Sequence, residues 1–155
     1  MKKFLVLLLF ITSLPFACKK KDDSCKTVEP KAEEASMLSY ATVNGIVPVK
    51  HSSGMYYQII TPGTGTTPAM GSIVSVKYTG KLINNTVFDM QEDASKTKWP
   101  LNTLIQGWQI GIPLIKKGGK IKLLVPSAYG YGCEGAGPIP GNSILIFDIE
   151  LVDVQ

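Results

Sequence analysis

The stretch that most restricts the fold is SILIFDIELVDV, Ser143 to Val154. Leu145, Phe147, Ile149 and Leu151 fall on one side of an extended chain, Asp148 and Glu150 on the other. Successive side chains of a β-strand point to opposite faces, so a period of two is a strand pattern. One apolar face and one charged face predict an antiparallel sheet that is packed on one side and wet on the other. Directly before this strand lies AYGYGCEGAGPIPGN, a glycine- and proline-rich loop that carries two tyrosines and an isoleucine. Such turn-rich frames are ordinarily polar. Aromatic and apolar groups on this one need a reason.

Earlier segments supply the partner strands. MYYQIITPGTG reads as a strand ended by a Pro-Gly turn. GSIVSVKYTGKLI alternates, with Ile73, Ser75 and Lys77 on one face and Val74, Val76 and Tyr78 on the other. NNTVFDM continues after an Asn-Asn turn, and KIKLLVP is a strand stopped by Pro126. One helix interrupts them. In NTLIQGWQIGIPLIKKGG, Ile105, Trp108 and Ile112 recur at helical spacing. Asn102 or Thr103 caps its start, and Gly118-Gly119 ends the segment. Pro113 is disruptive beyond a first turn, so the helix is short or tightens there. Strands with one short apolar helix against a sheet face make an α+β domain. It is expected over residues 52–155.

The N-terminal end is of another kind. In MKKFLVLLLFITSLPFAC, two lysines precede an apolar run from Phe4 to Phe16. That run is shorter than the roughly 20 residues a membrane span needs, and it reads as an export signal over residues 1–17. Ala17 before Cys18 resembles a bacterial lipoprotein signal, in which the chain is cut before the cysteine and the thiol receives a lipid. Pro15 stands where that signal usually carries a branched aliphatic residue. The hydrophilic KKKDDS after Cys18 resembles the surface-export signals of Bacteroidetes lipoproteins. Residues 18–51 are Lys/Glu/Ala/Ser-rich and read as a flexible tether, although EPKAEEASMLSYA has the makings of a short helix. The expectation is an exported chain, lipid-anchored to a bacterial membrane.

Charge and cysteines exclude several function classes. The formal net charge is +4, and all 16 basic residues are lysines. From Ser52 onward there are 8 Lys against 7 Asp and Glu, so the domain carries no basic face for nucleic acid. The lysine group at 116, 117, 120 and 122 reads as a solvated face. Without a Cys-x-x-Cys, and with His51 the only histidine, a zinc site is excluded. If Cys18 is lipidated, Cys25 and Cys133 remain. They can pair in an oxidising compartment, but one lies in the tether and the other in the loop, which argues against a bond.

VKYTGKL, VFDM, LIQGWQIGI, GGKIKLLVPSAYGYG and IPGNSILIFDIELVDV, in this order and at about these spacings, resemble the FKBP-type peptidyl-prolyl cis-trans isomerases. The resemblance runs from about Met55 to Val154. It implies a twisted antiparallel half-barrel wrapped around one short helix, with an apolar pocket between them and the last loop overhanging it. It makes Trp108 the pocket floor and Tyr78, Phe88 and Phe147 its aromatic walls. Leu104 and Ile105 stand at the start of the helix, with the Ile105 N–H aimed at a substrate carbonyl. Tyr129 matches the tyrosine whose hydroxyl bonds that carbonyl, and Ile139 the apolar loop residue. Asp89 matches an acid held inside the pocket wall and bonded to the equivalent of Tyr78. Where the family commonly has a further pocket aromatic, this chain has Thr97, so that wall is thinner or Trp99 swings in. Met90 replaces a small polar residue, and Pro138 an aliphatic one. The implied activity is rotation about Xaa-Pro bonds of exported polypeptides by a monomer needing no cofactor or metal. A non-catalytic proline-segment chaperone or surface receptor is the alternative for the same pocket.

Overall fold

The computed structural model describes residues 25–155. The expected signal, residues 1–17, and the expected lipid site, Cys18, lie outside that range. Among the described residues, no helix is long and apolar enough to cross a membrane.

Among the described residues a helix, α1 (Pro30–Val43), comes first, with Glu29 as its N-cap residue and Pro30 in its first turn, where proline's missing N–H costs nothing. The strands follow: β1 (Val49–Lys50), β2 (Tyr56–Thr61), β3 (Ile73–Leu82), β4 (Val87–Gln91), β5 (Trp99–Pro100), β6 (Lys120–Val125) and β7 (Leu145–Val154). The second helix, α2 (Gln106–Gly111), lies between β5 and β6. The strands form one antiparallel sheet in the order β1-β2-β6-β7-β3-β4, with β5 on β3. Central β7 pairs with β3 along most of its length, with a register shift between Ser75 and Val76.

The alternation read in β7 is observed. Leu145, Phe147, Ile149 and Leu151 are buried, while Asp148 and Glu150 are half-buried. The first set packs with Val74, Val76, Ile121, Leu123 and Val125 against Trp108 and Ile112 of the helical segment. The charged side carries Lys81 and Lys122 on Asp148, and Lys120 on Glu150 at 3.3 Å. These pairs keep the polar ladder satisfied but stabilise little, because exposed ion pairs contribute ~0–1 kcal/mol.

Two expectations about this architecture are corrected. The second sheet face is not wholly wet. Residues Met37, Tyr40 and Ala41, one stripe of α1, are buried against Tyr56, Leu124, Ile144 and Ile146. Accordingly, residues 30–50 are not a tether: they form α1 and β1 and belong to the packed domain. The second correction concerns Cys25 and Cys133, which are bonded, with their Cα atoms 5.5 Å apart. Their separation of 108 in sequence hides this proximity.

The helix that carries the site is short for a physical reason. A turn of 3-10 helix, Leu101–Thr103, precedes α2. The N-cap of α2 is Ile105, without a side-chain cap, rather than Asn102 or Thr103. Pro113 then falls in a second 3-10 turn, Ile112–Leu114, so the helix does tighten there. Close approach of α2 to β6 depends on Gly107: a Cβ there would lie 2.4 Å from Val125 Cγ1. In an open helix Gly→Ala is favourable by ~1 kcal/mol, whereas overpacking a core costs ~1–3 kcal/mol. Gly107→Ala is therefore expected to lower stability by up to about 2 kcal/mol in denaturant unfolding. A gain in stability would contradict this packing.

Candidate active site

Between α2 and the sheet lies a cavity of about 270 Å³. Ligand pockets usually run ~300–1,000 Å³, so it suits one side-chain-sized apolar group rather than a large ligand. Its lining joins Tyr78, Phe88, Asp89, Trp99, Trp108 and Phe147, and continues through Thr103, Leu104, Ile105 and Tyr131.

The backbone explains why these residues meet. In the sheet register, Tyr78 is opposite Ile149, and Gly80 is opposite both Asp89 and Phe147. With no side chain at Gly80, the rings of Phe88 and Phe147 close over it, edge to face at 5.7 Å; an added Cβ would stand 2.6 Å from Phe88 Cζ. Trp108 rises from α2 into the ring of aromatics, 5.1 Å from Tyr78 and 5.3 Å from Phe147, both edge-on. It is 4% exposed, and its indole N–H has no partner among the described residues. Edge-to-face pairs add ~0.5–1.5 kcal/mol each beyond burial, which fixes the ring orientations.

Polar groups stand at the rim. The Tyr78 hydroxyl donates to Asp89 Oδ2 at 2.5 Å, and the other carboxylate oxygen accepts the Met90 N–H at 2.8 Å. Burial, and then that bond to Asp89, push the Tyr78 phenol well above its ordinary range. Tyr131 is likewise raised, first by burial and then by the Asp89 charge. The Ile105 N–H finds no acceptor among the described residues, while its carbonyl takes the Trp108 and Gln109 N–H groups. The cavity thus presents an apolar floor, a free backbone donor on one side and a free phenol on another. No cluster of metal-ligating residues exists among the described residues.

Most of the residues expected at the site converge on it: Tyr78, Phe88, Asp89, Leu104, Ile105, Trp108 and Phe147 all line the cavity. Three expectations change. Tyr129 does not reach the cavity. It ends a 3-10 turn, Ser127–Tyr129, and its hydroxyl donates to the Ser53 carbonyl at 2.9 Å. Tyr131, two residues on, lines the cavity instead. Ile139 is buried in the core beneath the loop rather than in the cavity wall. Asp89 is exposed at the rim, not held inside, although its bond to Tyr78 is as expected.

The segment before α2 contributes a residue that the expectations left open. Thr97 is fully buried away from the cavity, accepting the Val76 N–H at 2.8 Å and donating to the Val76 carbonyl at 2.6 Å. That clamp turns Trp99 inward, 6.0 Å from Tyr78 and 6.4 Å from Trp108, so Trp99 is the missing wall. A tryptophan two positions from the expected site was the available signal.

Comparisons agree with this geometry. The sequence profile described as FKBP-type peptidyl-prolyl cis-trans isomerase matches residues 64–152. The FKBP-type peptidyl-prolyl cis-trans isomerase FkpA of Aeromonas hydrophila is 38% identical over 138 residues, covering 88% of this chain and 51% of that protein. The crystal structure of FkpA from Escherichia coli superposes with a TM-score of 0.69 at 36% identity, over 81% of this chain and 61% of that one. A peptidyl-prolyl cis-trans isomerase structure from Pseudomonas syringae gives a TM-score of 0.69 at 32% identity, over 82% and 93%. The chain spans about half the length of the curated relatives it matches.

Proposed function

Since this chain belongs to the FKBP-type peptidyl-prolyl cis-trans isomerase family, we propose that it accelerates rotation about Xaa-Pro bonds in exported polypeptides. The observation that carries the reading is the aromatic cavity with unpaired donors at its edge. Rotation about a peptide bond faces a barrier of ~18–20 kcal/mol. The cis and trans forms of an Xaa-Pro bond differ by only ~0.5–1 kcal/mol. An enzyme for this reaction need only lower the barrier.

Amide resonance places charge on oxygen and nitrogen, and water stabilises that charge. The twisted amide has less charge separation. With the proline ring on Trp108 and the bond between Tyr78, Phe88 and Phe147, the planar form loses its water and the twisted form loses less. The Ile105 N–H and the Tyr131 hydroxyl bond substrate carbonyls and hold the twisted geometry. Asp89 fixes the Tyr78 hydroxyl at the wall. Each tenfold in rate needs ~1.4 kcal/mol.

This assignment predicts a split between two neighbouring tyrosines. Tyr131→Phe lowers kcat/KM by roughly tenfold, the value of one lost hydrogen bond, while Tyr129→Phe leaves it within about twofold. The reverse order would restore Tyr129 to the site. Both cavity phenols are pushed above the ordinary ~10. The rate enhancement is therefore flat from about pH 7 to about pH 9; a midpoint below pH 9 would contradict it.

Residues 1–17 act as an export signal in this reading, Cys18 takes a lipid, and the Cys25–Cys133 bond suits an oxidising compartment outside the cytoplasm. Labelling with a palmitate analogue tests the lipid: label on the wild type that is lost in Cys18→Ala supports it, and none on the wild type removes it. The test of the activity is cis-to-trans relaxation of Xaa-Pro peptides with varied Xaa. Acceleration by the full chain is the expected result. Peptide binding without acceleration would leave a proline-segment chaperone or receptor.

A further inference from the structure

Tyr131 sits on a loop of turns, yet it must keep a fixed place at the cavity. Two of the backbone bonds that hold it converge on one residue. The Ser127 carbonyl accepts the N–H groups of both Gly130 (3.0 Å) and Gly132 (2.9 Å), which flank Tyr131. Ser127 is fully buried, and its own N–H donates to Glu33 Oε2 at 2.7 Å. Glu33 lies on α1, is 7% exposed, and is 94 residues away in sequence. A carboxylate taken out of water needs a partner, and charge-assisted bonds of this kind are about twice as strong as neutral ones. The neighbouring contacts run the same way: Cys25 is bonded to Cys133, and the Asn142 side chain donates to the Lys26 carbonyl at 3.3 Å.

We infer that Glu33 is a positioning residue for the isomerase site, holding Ser127 and through it the Tyr131 loop against the cavity. The segment around residues 25–33 is thereby part of the working site, although none of it lines the cavity. This inference rests on the isomerase reading of the cavity and deepens it.

The test measures kcat and KM of the full chain, with its disulfide formed, on an Xaa-Pro peptide. Glu33→Ala is expected to lower kcat/KM roughly tenfold, since small misplacements of binding groups cost up to ~10²-fold. Glu33→Gln keeps an oxygen for the Ser127 N–H and recovers activity to within about threefold. The decisive arm is Tyr131→Phe. If Glu33 acts through that hydroxyl, Glu33→Ala adds little in the Tyr131→Phe background, whereas a general loss of stability adds in full. Should Glu33→Ala not fold, Glu33→Asp, which withdraws the carboxylate by one methylene, is read in the same cycle. An active wild type with an unaffected folded variant, or with additive losses, overturns this inference alone. A folded wild type without activity overturns it together with the isomerase reading.

Discussion

Opening the Cys25–Cys133 bond lowers the stability of this chain by about 3–5 kcal/mol. The bond joins positions 108 apart, so nearly the whole domain lies inside the loop it closes. In the chain-entropy account a loop of ~100 residues is worth ~4.7 kcal/mol, nearly all through restriction of the unfolded chain. Folded-state contacts add to the reason for expecting a large effect. Residues 25–29, the described residues before α1, are tied to the loop by the disulfide and by the weak bonds of Lys26 and Thr27. For a chain of this size each kcal/mol moves Tm by ~2–4 °C, so Cys25→Ser should lower it by roughly 10 °C. Calorimetry on the variant, and on the wild type with and without a reductant, makes the comparison. A shift under about 2 °C would mean that the bond closes no effective loop.

Trp108→Ala is expected to cost about 3–5 kcal/mol, the range for deleting a buried tryptophan. Three rings lean on it, Tyr78, Trp99 and Phe147, at 5.1, 6.4 and 5.3 Å. Removing it joins the space of the indole to the existing cavity of about 270 Å³ and takes away the cavity floor. The loss of activity should therefore exceed the loss of folded protein. In the fraction that remains folded, kcat/KM falls by roughly 10–100-fold, or ~1.4–2.8 kcal/mol of barrier. Denaturant unfolding and peptide kinetics on the same preparation separate the two effects. Kinetics unchanged per folded molecule would show that Trp108 is only core.

The strand β7 was legible because its apolar and charged residues alternate without interruption from Phe147 to Leu151. The burial of Ile146 was not, because it depends on α1, a helix whose docking no local pattern announces. Local periodicity reports which side of a strand is more apolar; it is silent about a second layer. The aromatic cavity was legible for the residues held by strand register, Tyr78, Phe88 and Phe147. It was misread on the loop. In Tyr129-Gly130-Tyr131 both tyrosines have glycine beside them, and only the 3-10 turn at Ser127 decides which one faces the cavity. The first residue of that turn gives its N–H to Glu33, far off in sequence. Thr97 and Trp99 show the same limit on a smaller scale, since a buried hydroxyl clamp sets which side chain turns in.

Isomerase activity is tested by exchange NMR of an Xaa-Pro peptide with a substoichiometric amount of the full chain. Uncatalysed exchange takes tens to hundreds of seconds and leaves the cis and trans signals unconnected. Cross-peaks between them are expected with the wild type, much weaker with Trp108→Ala at equal folded concentration. Peptide signals that shift on binding while cis and trans remain unconnected would contradict it.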